Sequence, residues 1–382
     1  MNVFLGERSW IEIDKKNLKY NINEIKKHLK DGEEIIAVVK ANAYGHNDKL
    51  FSKELYDLGI RKFAVACLSE AINIREVLED VMILILGYTP YEKAEDLVKY
   101  NLSQSITSID YLENLYKYTN GKIKIHIAID TGMSRIGLNG KKPEECIEQI
   151  EKFKSLYDIE GMFTHMSCAD DDTSDADEFT RMQIERFKKI ALHYKDEIKV
   201  IHYKNSSGII RDFEKIGSAC RAGIIIYGLY PSEEMKPYID LKAITSWYSV
   251  VTSVRNVEKG EYVSYNKLFQ ADKDMKIASV ACGYSDGYRR TMTNKVSALI
   301  NGKKVKVLGR ICMDQLMIDI TGIDNVCIGT KVTLIGKDGE EEITASDLAK
   351  VINTNHYDIL SNISPRVDRI VKKDWFFQQK DI

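Results

Sequence analysis

The decapeptide AVVKANAYGH, residues 37–46, sets Lys40 at the end of an apolar run and follows it with a small-residue turn carrying Tyr44, Gly45 and His46. Such a lysine is either a solvated cation or an amine held in an apolar mouth, and desolvation separates the two. An amine denied water has its pKa lowered, so it can form a Schiff base with a carbonyl cofactor such as pyridoxal phosphate and later act as a base. A second segment, CRAGIIIYGLYP at 220–231, combines Arg221 with Gly223. A glycine there lets main-chain N–H groups come close to a phosphate, although the same residues also make an ordinary strand-to-helix turn. Ser206 in YKNSSG and Tyr44 would add hydroxyls.

The elements that must position these residues are legible in the hydrophobic pattern. From residue 15 to about 230, short β-rich runs alternate with charged segments of helical period. The strands expected are IIAVVK ending at Lys40, FAVAC (63–67), MILIL (82–86), SQSIT (103–107), KIHIAID (124–130), IEGMFTH (159–165), KVIHYK (199–204) and IGSACRAG (216–223). Helices are expected between them, as over 14–30 and 177–194. Eight such units predict an α/β fold, a closed (β/α)8 barrel, in which Lys40, Asp130, His165, Asn205, Ser206 and Arg221 all fall at or beyond strand carboxyl ends, the catalytic face. Beyond residue 240, short strands with turns (WYSVVTSVRNVEKGEYVSY, VSALINGKKVKVLGR, ICMDQLMIDI) predict a second, mostly-β domain. The expected division is a barrel over 12–240 and a β domain over 241–382, with residues 1–11 pairing with the latter.

Composition narrows the classes. With 57 acidic and 55 basic residues among 382, no strong field favours nucleic acid or an anionic membrane. The longest wholly apolar run, Val81 to Leu86, is far short of a bilayer span, and Glu7 and Arg8 interrupt any secretory signal. Seven dispersed cysteines without a C-x-x-C pair fit reduced thiols, so a cytoplasmic protein with no metal is expected. Zinc-protease, Walker A, dinucleotide-binding and serine-hydrolase signatures are absent.

Taken together, VKANAYGHN, DTGMSRIG (130–137), FTHMSCAD (163–170), NSSG (205–208), RAGIIIYG (221–228), VSYN (263–266), GYSDGYRR (283–290) and GRICMDQ (309–315) resemble the alanine racemase family of fold-type III pyridoxal-phosphate enzymes. The resemblance runs from about residue 8 to residue 370. It implies a head-to-tail homodimer acting on a small amino acid and feeding D-alanine to peptidoglycan synthesis. Lys40 matches the lysine that holds the cofactor and serves as one acid–base group; Tyr265 matches the second, delivered from the partner subunit. Inverting a Cα needs a proton removed from one face and returned to the other, which suits two bases. The resemblance further implies that His165 and Arg135 favour the tyrosine phenolate and that Arg221 faces the pyridine nitrogen. It assigns Tyr44, Asn205, Ser206, Gly223, Ile224 and Tyr357 to the cofactor, and Arg135, Met313, Asp314 and Tyr284 to the substrate.

Two positions depart from the family pattern. Ala128 stands where many members carry a carbamylated lysine that braces the carboxylate-binding arginine, and Pro365 stands where a tyrosine lines the entrance. Serine-racemising relatives also depart at the second position, so serine is the alternative substrate, and the chain could then be the catalytic portion of a membrane-anchored enzyme. A decarboxylase or aldolase on the same scaffold, or a non-catalytic cofactor carrier, are the further alternatives. Tyr265 and Met313, on the β domain, count against the carrier. The acidic run at 169–177 is expected to be a solvated loop capping the next helix at Asp177. His126, His193, His202 and His356 are expected to be structural, and Cys312 a buried small hydrophobe.

Overall fold

A computed structural model describes residues 7–372, which form two compact units, one of residues 16–43 and 48–243 and the other of the remainder. In the first unit eight parallel strands run Glu34–Val38, Lys62–Val65, Met82–Ile85, Ser103–Ile106, Lys124–Asp130, Asp158–Phe163, Val200–His202 and Ala219–Ala222. Each pairs with the next, and Ala219–Ala222 pairs back onto Glu34–Val38, so the sheet closes into the expected barrel. The strands read as unbroken apolar runs because parallel strands wrapped by helices are buried on both faces. Outside them, helices such as Lys15–Lys27 turn one stripe inward, with Leu18, Asn21, Ile22 and Ile25 buried at helical spacing.

The interior of this barrel is not wholly apolar. Glu33 and Lys204 form an ion pair of 3.0 Å with both side chains 1% exposed, and His126 and His202 are fully buried. Gly161 makes room for the first imidazole: a Cβ built there would lie 2.3 Å from His126 Nδ1.

The second unit is a nine-stranded sheet around the 13-residue strand Thr245–Val257. That strand pairs antiparallel with Ser9–Ile13, Met275–Val280 and Lys331–Asp338, and its register slips between Val251 and Ser253. The slip bends the strand, which lets one strand serve different neighbours along its length. Residues 44–47 belong to this unit too; His46 Nε2 lies 2.5 Å from Thr245 Oγ1 and Nδ1 3.0 Å from the Tyr44 carbonyl.

Two expectations need correction. The helix expected from Asp177 spans Ser174–Ala191, and its cap is Thr173, whose side chain accepts from Ala176 N–H. Asp177 lies one turn inside, paired with Arg181 and Arg211 at 2.7 and 2.6 Å. The strand expected to end at Lys40 ends at Val38, and Lys40 opens a separate turn.

Candidate active site

That turn is left-handed. Ala41, Asn42, Ala43 and Tyr44 have φ of 54°, 54°, 52° and 50° in succession, a conformation that costs an L-residue roughly 1–2 kcal/mol each. Hydrogen bonds hold it: Ala43 N–H donates to the Val39 carbonyl at 2.9 Å, Asn42 N–H to Glu70 Oε1 at 3.3 Å, and Asp48 N–H to Asn42 Oδ1 at 2.9 Å. The short side chains of the ANA sequence minimise the crowding, and the turn carries the Lys40 amine to the barrel mouth. Burial, then the charges of Arg135 and Arg221, lower the Lys40 pKa against the opposing pull of Glu70. The desolvated amine is therefore the reading the geometry favours.

His165 shares this mouth. Burial, followed by the charges of Arg221, Arg135 and Lys40, holds its pKa well below the ordinary histidine value. Arg221 Nη2 donates to His165 Nδ1 at 3.1 Å, which makes Nδ1 the acceptor and Nε2–H the donor of a neutral ring. Asp130 shapes the loop that bears Arg135: its Oδ1 accepts from Gly132 N–H at 3.0 Å and Ser134 N–H at 2.9 Å. A small cavity beside this loop is lined by Ala128, Asp130, Met133, Arg135, Phe163 and His165.

Arg221 anchors a buried chain that the sequence did not disclose. Its Nη1 donates to His202 Nδ1 at 2.6 Å; His202 Nε2 lies 2.9 Å from His126 Nδ1; His126 Nε2 lies 3.2 Å from Glu160 Oε2. Because Arg221 can only donate, the protons are ordered along the chain, each imidazole donating through Nε2. Burial lowers the pKa of both histidines, leaving them neutral. At the far end burial opposes the Glu160 charge, but the donors His126 and Ser103 outweigh it and hold the carboxyl down to about 2. His126 and His202, expected to be merely structural, thus orient Arg221. Burial pulls Arg221 itself down to about 9, still protonated at neutral pH.

The three neutral imidazoles have a consequence for stability. Their pKa values are depressed in the folded chain, so below about pH 6.5 the unfolded chain binds more protons and stability falls as pH falls. The thermal midpoint should drop between about pH 7.5 and 5.5, and His202→Asn should flatten that drop. A wild-type midpoint unchanged across this interval would mean that the rings ionise inside the fold.

Pyridoxal phosphate needs a partner for its pyridine nitrogen, donors for its phosphate and an amine for its carbonyl carbon. Both Nη nitrogens of Arg221 are engaged, by His202, Thr164, His165 and Tyr203, whereas among the described residues no partner takes its Nε–H, a donor suited to a pyridine nitrogen. Ser206 Oγ accepts from Gly223 N–H at 3.1 Å, and Ile224 opens a helical turn whose first N–H groups have no partner within it. A hydroxyl and main-chain donors suit a phosphate, and Lys40 suits a carbonyl. The donor set fits the group. Asn205, expected among the cofactor contacts, caps the helix Ser206–Ile210, accepting from Gly208 N–H at 2.9 Å.

The other expected residues lie in the second unit. Tyr44 and Tyr357 are in ring contact at 5.9 Å. Tyr265 occupies the tip of the hairpin joining Tyr262–Val263 to Phe269–Gln270. Left-handed Ser264 precedes it, with Oγ donating to the Arg310 carbonyl at 2.5 Å. Tyr265, Met313 and Tyr284 are exposed by 63%, 53% and 39%. The Asp314 carboxylate is bound by Arg366 at 2.7 Å. Cys312 is half-buried, not buried as expected, its thiol directed at the Arg310 carbonyl.

A closed parallel barrel with an amine and two guanidiniums at its mouth, followed by a mostly-β unit, defines a fold-type III pyridoxal-phosphate enzyme, a racemase. Residues 13–231 match the model for the alanine racemase N-terminal domain and residues 244–371 that for the alanine racemase C-terminal domain. Alanine racemase 1 of Clostridium acetobutylicum is 38% identical over 96% of this chain and 95% of its own length. Among solved structures, alanine racemase of Clostridium difficile 630 superposes with a TM-score of 0.89 at 34% identity, covering 96% of each chain. Alanine racemase of Bartonella henselae with covalently bound pyridoxal phosphate gives 0.81 at 28%, covering 96% of this chain and 100% of that one. The chain belongs to the alanine racemase family.

Proposed function

We propose that the protein interconverts L- and D-alanine with pyridoxal phosphate, Lys40 and Tyr265 acting as the two proton-transfer groups, and so supplies D-alanine for peptidoglycan. The observation that carries the reading is the clustering of a desolvated Lys40 with Arg135, His165 and Arg221 at one barrel mouth. The covalently bound cofactor in the Bartonella henselae relative supports Lys40 as its point of attachment.

When bound, the cofactor would supply an electrophilic carbonyl carbon and a conjugated ring that acidifies the substrate Cα–H. Lys40 holds it and, with its pKa lowered, exchanges a proton at Cα from one face. Tyr265 exchanges a proton at the opposite face. The His165 Nε2–H and the Arg135 charge would supply a donor and a cation to the phenol oxygen. Arg221, fixed by His202 and His126, would face the pyridine nitrogen with its Nε–H. Since a guanidinium gives up its proton reluctantly, such a partner would restrain the ring's electron withdrawal and favour simple proton exchange. Ser206 Oγ and the main chain at Gly223 and Ile224 would hold the phosphate. Arg135 and the Met313 N–H receive the substrate carboxylate.

Tyr265, Met313 and Tyr284 are large side chains left exposed on the second unit, which supports their delivery into a partner's site in a homodimer. The test is a chiral assay of protein plus pyridoxal phosphate, offered L-alanine and L-serine at equal concentration. D-alanine is expected to form faster. Faster D-serine would assign the substrate to the pocket altered by Pro365, and neither product would overturn the reading.

A further inference from the structure

The second unit contains a buried carboxylate that the proposed mechanism leaves unused. Asp286, 0% exposed, accepts four hydrogen bonds: from Arg8 Nη1 at 2.8 Å and Nη2 at 3.2 Å, Arg366 Nε at 2.7 Å and Gly283 N–H at 2.8 Å. Three of these four donors belong to guanidinium cations, which makes them charge-assisted hydrogen bonds. Both arginines reach onward to one neighbour. Arg366 Nη2 donates to Asp314 Oδ1 at 2.7 Å, and Arg8 Nη2 to the Asp314 carbonyl at 3.0 Å.

Asp314 follows Met313 in a tight loop closed by Cys312 N–H donating to the Gln315 carbonyl at 2.9 Å. The loop is stitched to the turn bearing Tyr284, since Tyr284 N–H donates to Cys312 and Ser285 N–H to Met313, both at 3.0 Å. Gly283 permits the approach: a Cβ there would stand 2.4 Å from the Cys312 and Met313 carbonyl oxygens. The tail joins the same hub, with Ser364 N–H donating to the Asp286 carbonyl at 2.9 Å on one side of Pro365 and Arg366 on the other. One buried carboxylate therefore ties together four segments far apart in sequence, and two of them carry proposed substrate contacts.

We propose that Asp286, acting through Arg8 and Arg366, is the positioning residue for the substrate-carboxylate loop, and that Asp314 is a strut of this clamp and not itself a substrate contact. The inference rests on the reading of Met313 as a carboxylate ligand. Arg366 has a second effect: by pairing with Asp314 it masks a negative charge beside the incoming carboxylate.

The experiment compares wild type, Arg366→Ala, Asp314→Ala, Asp314→Glu and the double alanine variant. Each alanine single should raise KM for alanine about tenfold with kcat changed less than about threefold, Asp314→Glu should stay near wild type, and the double should be no worse than the poorer single. Multiplying KM effects would make Asp314 an independent substrate contact and overturn the proposal. So would a lowered thermal midpoint and lowered kcat with KM unchanged, the mark of a merely structural role. Amide hydrogen exchange at 312–315 gives a second readout, which should quicken about tenfold in Arg366→Ala. If the wild-type protein failed to racemise, the functional reading would fall while exchange still decided the clamp.

Discussion

Lys40→Ala is expected to lower racemisation by at least about 10³-fold, because it removes both the proposed attachment point and one of the two proposed proton-transfer groups; acid–base groups alone contribute about 10²–10⁴. That loss corresponds to about 4 kcal/mol of transition-state stabilisation. The cause lies in the environment of the amine, which burial and two guanidiniums keep closer to neutrality than a surface lysine. Borohydride reduction offers a check apart from activity. It should fix a pyridoxyl group on the peptide containing Lys40 in the wild type and none in the variant. A covalent adduct on another lysine, or a variant retaining more than about a tenth of wild-type rate, would remove Lys40 from its role.

The second large effect concerns Tyr265. Tyr265→Phe should cut racemisation about 10²–10⁴-fold while solvent deuterium still enters one enantiomer with its configuration retained, since the opposite face keeps its lysine. The exposure of Tyr265 makes a sharper test possible. If Lys40 and Tyr265 meet across subunits, co-expressing the two inactive variants in equal amounts makes about half the dimers mixed, each with one intact and one doubly damaged site. About one quarter of wild-type activity should then return, a consequence of isologous two-fold pairing. No recovery from demonstrably mixed dimers would mean that both residues act within one chain.

The barrel was legible because its signal is local. Parallel strands buried on both faces write themselves as short Ile- and Val-rich runs, and their carboxyl ends fall where Lys40, His165 and Arg221 stand. The network behind Arg221 was not legible, since His126 and His202 lie on separate strands and have no ligand-like spacing. A faint trace existed in Gly161, a glycine inside a strand that opens room for the His126 ring. The Asp286 clamp left less still: residues 8, 286, 314 and 366 share no period, and only chain closure brings them into contact. At Asp177 a local rule misled. An acidic residue suited to capping stood four residues downstream of Thr173, itself a capping residue, and the earlier one prevailed.

The left-handed turn at 41–44 bears on the order in which the molecule assembles. Four successive L-residues in that conformation oppose their own local preference by about 4–8 kcal/mol in sum, so no isolated fragment would hold it. It is held instead by partners outside the turn, with Asn42 N–H donating to Glu70 and Asn42 Oδ1 accepting from Asp48 N–H. The turn that carries Lys40 is therefore expected to be absent from a partly folded chain, and the proposed cofactor-binding amine to be placed only once these distant contacts exist.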